Sequence, residues 1–139
     1  MIEERFQRAE LLLGEEEMRR LAAARVIIFG VGGVGGWCAE ALARSGVGHL
    51  TIVDKDRVAV TNINRQVMAL TSTVGRPKVE VLAERLRDIS PTLSVETVFD
   101  VYTADTQGEY DLDKYDVVVD AIDSLADKAL LIVNACRSR

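Results

Sequence analysis

The chain is short of the residues that most often carry covalent, redox or metal chemistry, with two cysteines and one histidine among 139 residues. Cys38 and Cys136 are far apart, form no C-x-x-C pair for zinc or redox work, and fall in segments that read as helices, where small core roles suit them. His49 sits between Gly48 and an apolar run, a turn or strand-edge position, so no serine or cysteine triad can be built unless a different base is used. Basic residues are outnumbered, 17 Lys and Arg against 22 Asp and Glu, for a net charge of −5. That balance argues against a broad nucleic-acid-coating surface, though not against a local basic site. Apolar runs such as Val117-Val118-Val119 fall far short of the roughly 20 residues that cross a bilayer. No charged-then-apolar leader precedes Met1-Ile2-Glu3-Glu4, so a cytoplasmic protein with no membrane partner is expected. Repeats and low-complexity linkers are absent too, and the length favours one domain.

Glycine is present at its ordinary level, but five of the ten fall in Gly30-Val31-Gly32-Gly33-Val34-Gly35-Gly36. This loop follows the apolar run Arg25-Val26-Ile27-Ile28-Phe29 and leads into a helix-like segment ending near Ser45. Strand, glycines, helix is the order in which a chain makes a phosphate cradle from its own backbone. Gly30, Gly32 and Gly35 satisfy G-x-G-x-x-G, which tightens the turn, lets the main chain approach a pyrophosphate and packs the helix close to the strand. Asp54 closes the next apolar run, Leu50-Thr51-Ile52-Val53, where a carboxylate can accept hydrogen bonds from ribose hydroxyls.

Residues 3–24 read as amphipathic helical material, with Glu15-Glu16-Glu17 early and Arg19-Arg20 late, an order that suits the helix dipole. Strands are expected at about 25–30, 49–54, 94–99 and 115–120, the last buried by its β-branched content. Helices are expected at roughly 34–45, stopped by Gly46, and from Pro77 to Ser90-Pro91, with a short helix across 61–70. A final helix would be capped by Ser124 with Asp127 and would bury Ala129, Ile132, Val133 and Cys136. The alternation predicts an α/β fold: a Rossmann-like, doubly wound, mainly parallel sheet with flanking helices and ligands at the carboxyl ends of the strands. Residues 1–24 form an amino-terminal helical segment and 25–139 a nucleotide-binding domain in this reading. A further strand would ordinarily follow the last helix, so the chain is expected to be the amino-terminal part of a longer protein, truncated at its carboxyl end.

A dehydrogenase needs the glycine loop and the ribose carboxylate but few other phosphate clamps. Here Asn62, Arg65 and Lys78 follow the second strand, and Asp123 lies just beyond the fourth, so candidate clamps and a candidate magnesium ligand fall on one edge. A triphosphate with its metal suits that set better than NAD, and an NAD-dependent oxidoreductase is the distant alternative. A scaffold that keeps the fold without turnover is a third.

The combination G-V-G-G-V-G at 30–35, D-K-D at 54–56, T-N-I-N-R-Q at 61–66, V-G-R-P-K at 74–78 and D-A-I-D-S at 120–124 resembles the ThiF/MoeB/HesA family of ubiquitin-activating-like adenylating enzymes. The likeness covers almost the whole chain, including Arg5, Phe6 and Arg8 near its start. Within the family, A-E-A-L-A-R-S-G-V-G at 39–48, N-R-Q-V-M-A-L at 64–70 and V-L-A-E-R-L-R-D-I-S-P at 81–91 look most like the branch that dehydrates threonylcarbamoyladenosine in tRNA. The resemblance implies ATP and Mg2+ as cofactors, with Gly30, Gly32, Gly33 and Gly35 holding phosphates and Asp54 the ribose. It assigns Asn62, Arg65 and Lys78 to the phosphates, Asp123 to magnesium, Asp56 to a supporting role, and Arg8 to the ATP of the other subunit of a homodimer. The implied reaction is ATP-dependent adenylation of a carboxylate. Its substrate would be tRNA or, in related branches, a ubiquitin-like sulphur carrier that works with a sulphur-transfer partner. A tRNA substrate calls for a basic surface that this acidic chain does not supply, and the resemblance leaves room for it in a carboxyl-terminal portion or across a dimer.

Overall fold

The computed structural model describes residues 2–138, so the outer ends of the expected segments, at Met1 and Arg139, lie outside the described residues. Four strands, β1 (Arg25–Phe29), β2 (His49–Val53), β3 (Ser94–Val98) and β4 (Val117–Asp120), form one parallel sheet in the order β3-β2-β1-β4. From β1 the chain winds outward through β2 to β3 and then returns to place β4 on the other side. The loops after β1 and β4 therefore part company, and that divergence opens a crevice at the carboxyl edge.

Successive residues of β1 serve two cores. Val26 and Ile28 pack on one face with Ala39, Ala43, Leu50, Ile52, Val79, Leu82 and Leu86, while Ile27 and Phe29 pack on the other with Val53, Tyr102, Leu112 and Leu131. Each such side chain withdrawn from water contributes roughly 1.5–3 kcal/mol, so a central strand buried on both faces fixes its own register. Helices α3 (Gly35–Ser45) and α4 (Lys78–Ile89) cover the first face, and α5 (Leu125–Arg137) lies over the second. Gly46 ends α3 in the left-handed conformation, as a helix-stopping glycine does. At the amino terminus, the helical material is divided into α1 (Gln7–Leu13) and α2 (Glu15–Ala23) by Gly14 at φ 90°. Among the described residues no helix is long and apolar enough to cross a membrane.

Several expectations need correction. Residues 61–70 are not one helix but a 3-10 turn at Val60–Asn62 followed by further turns, because Asn62 Oδ1 accepts from the Ala59 amide and closes the segment on itself. The fourth strand is parallel, but it is an edge strand rather than a buried one, with Val117 51% exposed. The face of α5 expected to be buried is turned outward, Ile132 being 48% exposed, whereas Leu131 and its neighbours Leu130 and Ala135 meet the sheet. This helix is apolar on both sides, and periodicity alone cannot choose between them. Ser124 occupies the cap position of α5 but makes no capping hydrogen bond. Neither cysteine is a core residue: Cys38 is half-buried and Cys136 exposed.

Candidate functional site

A cavity of about 590 Å³ opens where the loops after β1, β2 and β4 meet, and its lining combines the glycine loop with charged side chains from separate elements. Two glycines hold this loop in shape. Gly30 has φ 91°, and a Cβ there would stand 2.4 Å from the Ala121 carbonyl oxygen, so β1 can turn beside the β4 loop only without a side chain. Gly35 begins α3 so close to its own turn that a Cβ would lie 1.7 Å from the Gly30 oxygen. Gly32 and Gly33 face inward, toward Gln66 and Arg65 respectively. The loop thus presents bare backbone at a helix amino terminus, a ready cradle for phosphate oxygens.

Asp54 ties this cradle to β2. Its Oδ2 accepts from the Val31 amide at 2.9 Å and its Oδ1 from the Asp56 amide at 2.8 Å. A carboxylate has about four acceptor positions, so this tether leaves capacity for ribose hydroxyls. Asp56 carries the chain of contacts onward, its carbonyl accepting from the Lys78 amide at 3.0 Å and its side chain lining the cavity.

Lys78 is the first residue of α4, only 6% exposed, and among the described residues its ammonium has no hydrogen-bond or ion-pair partner. The stem is enclosed while the unpaired ammonium opens on the cavity, a placement suited to a ligand that brings negative charge. Arg65 lines the same cavity, steadied by the Thr61 carbonyl at 2.9 Å and Asn64 Oδ1 at 3.1 Å, and its aliphatic stem lies over Gly33. Across the cavity, Asp123 and Asp127 offer carboxylates with no partner among the described residues.

The sheet thus brings together Gly30, Gly32, Gly33, Asp54, Asp56, Arg65, Lys78 and Asp123, with Gly35 outside the lining, packed behind the loop on the Gly30 carbonyl. Two further expected residues lie elsewhere. Asn62 is buried outside the cavity lining, and its carbonyl accepts from the amides of Arg65 and Gln66 at 3.1 and 2.9 Å, which makes it a support for both. Arg8 sits on exposed α1, two residues beyond Phe6, which lines a hollow with Gly48, His49 and Leu93 at the opposite, amino-terminal end of the sheet. It therefore cannot serve its own chain's cavity.

Sequence reasoning missed Gln66, Asp100, Tyr102 and Asp127 as cavity residues. Asp127 was legible as one helical step from Asp123, whereas Tyr102 arrives from a loop without periodic signal. Phe29 meets Tyr102 and Tyr110 edge-on with ring centres 5.0 and 5.2 Å apart, the two tyrosine rings are tilted to each other at 5.6 Å, and Phe29 and Tyr102 line the cavity. Burial, then the charges of Asp100 and Glu109, push the Tyr110 hydroxyl up to about 12, so it stays neutral. Burial likewise pushes the Cys38 thiol up, away from the reactive thiolate. No group of three or more His, Cys, Asp or Glu among the described residues could hold a metal unaided. Asp123 and Asp127 fit the other arrangement, in which magnesium takes one or two carboxylates and completes its shell with substrate phosphates and water.

A parallel sheet that divides at β1 and β4 over such a cradle defines a Rossmann-like nucleotide-binding protein. More narrowly, the chain belongs to the ThiF family, whose sequence profile matches residues 6–139. It is 46% identical over 136 residues to a tRNA threonylcarbamoyladenosine dehydratase of Escherichia coli (strain K12), a match covering 98% of this chain and 51% of that protein. A Bacillus subtilis (strain 168) enzyme of the same name is 46% identical over 127 residues, 91% of this chain and 50% of its own length. Among solved structures, the E. coli dehydratase in complex with ATP superimposes with a TM-score of 0.93 at 47% identity, covering 96% of this chain and 55% of that one. The chain spans about half the length of the curated relatives it matches.

Proposed function

We propose that this chain is the nucleotide-binding part of an enzyme that adenylates a carboxylate with ATP, and that the carboxylate belongs to the threonylcarbamoyl group on the tRNA adenosine next to the anticodon. The observation that carries the first half is the buried, unpartnered Lys78 beside the glycine loop, a cation placed where a phosphate would complete it. The second half rests on the likeness to the dehydratases.

A carboxylate is a poor electrophile until one of its oxygens becomes part of a good leaving group. In the proposed first step that oxygen attacks the α-phosphorus of ATP, the bond to the bridging oxygen breaks, and pyrophosphate leaves. The loop amides and the amino end of α3 hold the phosphates in line, Asp54 fixes the ribose, and Arg65 with Lys78 meets the charge that moves onto pyrophosphate. Magnesium held by Asp123, with Asp127 beside it, would supply further neutralisation there. In the second step the carbamoyl oxygen attacks the activated carbonyl carbon, a ring closes, and AMP departs. Neither step needs a protein nucleophile, in keeping with a half-buried Cys38 held as a thiol. Arg8, remote from its own cavity, would reach that of a second copy in a homodimer.

ATP–pyrophosphate exchange by the full-length protein tests this reading, with Asp123→Ala as control. Exchange stimulated by threonylcarbamoylated tRNA and reduced at least about tenfold by the substitution is expected. Stimulation by a ubiquitin-like sulphur carrier instead would move the substrate to that branch. Absence of exchange, with NADH rather than MgATP raising the melting temperature, would overturn adenylation.

A further inference from the structure

We infer that Gln66 is a phosphate-positioning residue of this site, holding the phosphate that lies over Gly32 through its side-chain amide. The inference rests on the ATP reading and extends it to a group outside the charged set.

Gln66 opens a fully buried run, Gln66-Val67-Met68-Ala69, in which the other three side chains belong to the hydrophobic core. It is only 7% exposed and lines the cavity, yet its Oε1 is sealed from solvent with no hydrogen-bond partner, and its side chain makes no hydrogen bond to any described residue. Leaving a buried amide unmatched costs about 1–3 kcal/mol, and native proteins satisfy the great majority of such groups. An apolar side chain of similar size would suit this position if packing were its whole purpose.

The backbone on either side is fixed: the Gln66 amide donates to the Asn62 carbonyl at 2.9 Å, and the Ala69 amide donates to the Gln66 carbonyl at 3.0 Å. This holds the side chain against the glycine loop, where a Cβ built on Gly32 would come 3.5 Å from Nε2. Arg65, the preceding residue, stands in the same relation to Gly33. Two consecutive side chains therefore flank the two inward-facing glycines, one charged and one neutral. Nε2 already faces the loop and has no partner among the described residues, so the amide can donate to a phosphate oxygen above Gly32 as it stands. Charge comes from Arg65 and Lys78. Gln66 adds direction, because an amide donor rewards one orientation of the phosphate and leaves an unpaired polar group when that orientation is lost.

The test compares the full-length wild type, Gln66→Leu and Gln66→Glu by calorimetric titration with MgATP and with adenosine, alongside nucleotide-free melting temperatures. For Gln66→Leu the expected result is an unchanged or higher melting temperature, MgATP affinity lowered about tenfold, and adenosine affinity unchanged. Gln66→Glu, which keeps the size and adds a negative charge, should lose MgATP more severely and still bind adenosine. Equal MgATP affinity in the wild type and Gln66→Leu, or equal losses of MgATP and adenosine in both variants, would overturn the role while leaving the ATP reading intact. A wild type that binds neither ligand would remove both.

Discussion

The two ends of the sheet treat charge in opposite ways. At the amino ends of the strands, polar groups are matched. Arg5 donates to Glu3 at 2.8 Å and to the Ile89 carbonyl at 2.8 Å, Thr92 donates to Glu3 at 2.5 Å, and the Arg25 amide donates to Asp116 at 2.8 Å. The hollow there, about 290 Å³, is lined largely by Phe6, Met18, Ala22, Val47 and Leu93. At the carboxyl ends Lys78, Gln66, Asp123 and Asp127 go without partners among the described residues. One end is built as a fold is built. The other turns groups without protein partners toward one cavity, the pattern expected where function competes with stability.

The largest effect should come from substituting glycines, and the two ends should then separate. Gly35→Ala forces a Cβ to within 1.7 Å of the Gly30 oxygen, and Gly48→Ala to within 1.8 Å of the Ala22 oxygen. Each should cost more than about 3 kcal/mol in chemical denaturation, because backbone rather than a flexible side chain must give way. At a temperature where both variants remain folded, only Gly35→Ala should also lose MgATP affinity. A loss of affinity in Gly48→Ala would break the division.

A smaller effect is expected from Glu40, a paired charge away from either end. It joins Arg85 and Arg44 across α3 and α4, and the Arg85 guanidinium in particular holds its carboxyl below the ordinary glutamate value. A depressed folded value means that the pair's contribution is present near neutral pH and is lost as pH falls through the carboxylate range. Glu40→Gln should lower stability by about 1 kcal/mol at pH 7, with the difference shrinking as the pH is lowered through the acid range, measured by urea unfolding. A constant difference across that range would assign its effect to packing.

The glycine loop, Asp54, the parallel strands of a doubly wound sheet and the helix after Pro77 were legible because each imposes a local rule, a tight turn or a period, that survives without tertiary context. Arg65, Lys78 and Asp123 were legible through spacing around those landmarks. Residues 61–70 were not, since a side-chain carbonyl on Asn62 rather than helical periodicity decides their path. The outward face of α5 was misread for a different reason. A helix apolar on both sides satisfies the inward criterion twice, and only contact with Phe29 and its neighbours selects Leu131. Gln66 stands within the T-N-I-N-R-Q stretch, but being unpartnered is a property of the fold that no residue type announces.

Lys78 offers the most direct test. Lys78→Met in the full-length protein removes the charge that opens on the cavity and keeps the length of the side chain, so it separates stability from binding. A nucleotide-free melting temperature close to that of the wild type together with MgATP affinity reduced at least about a hundredfold is expected, as loss of the cation that meets the phosphates requires. MgATP affinity unchanged, whatever the melting temperature, would contradict it.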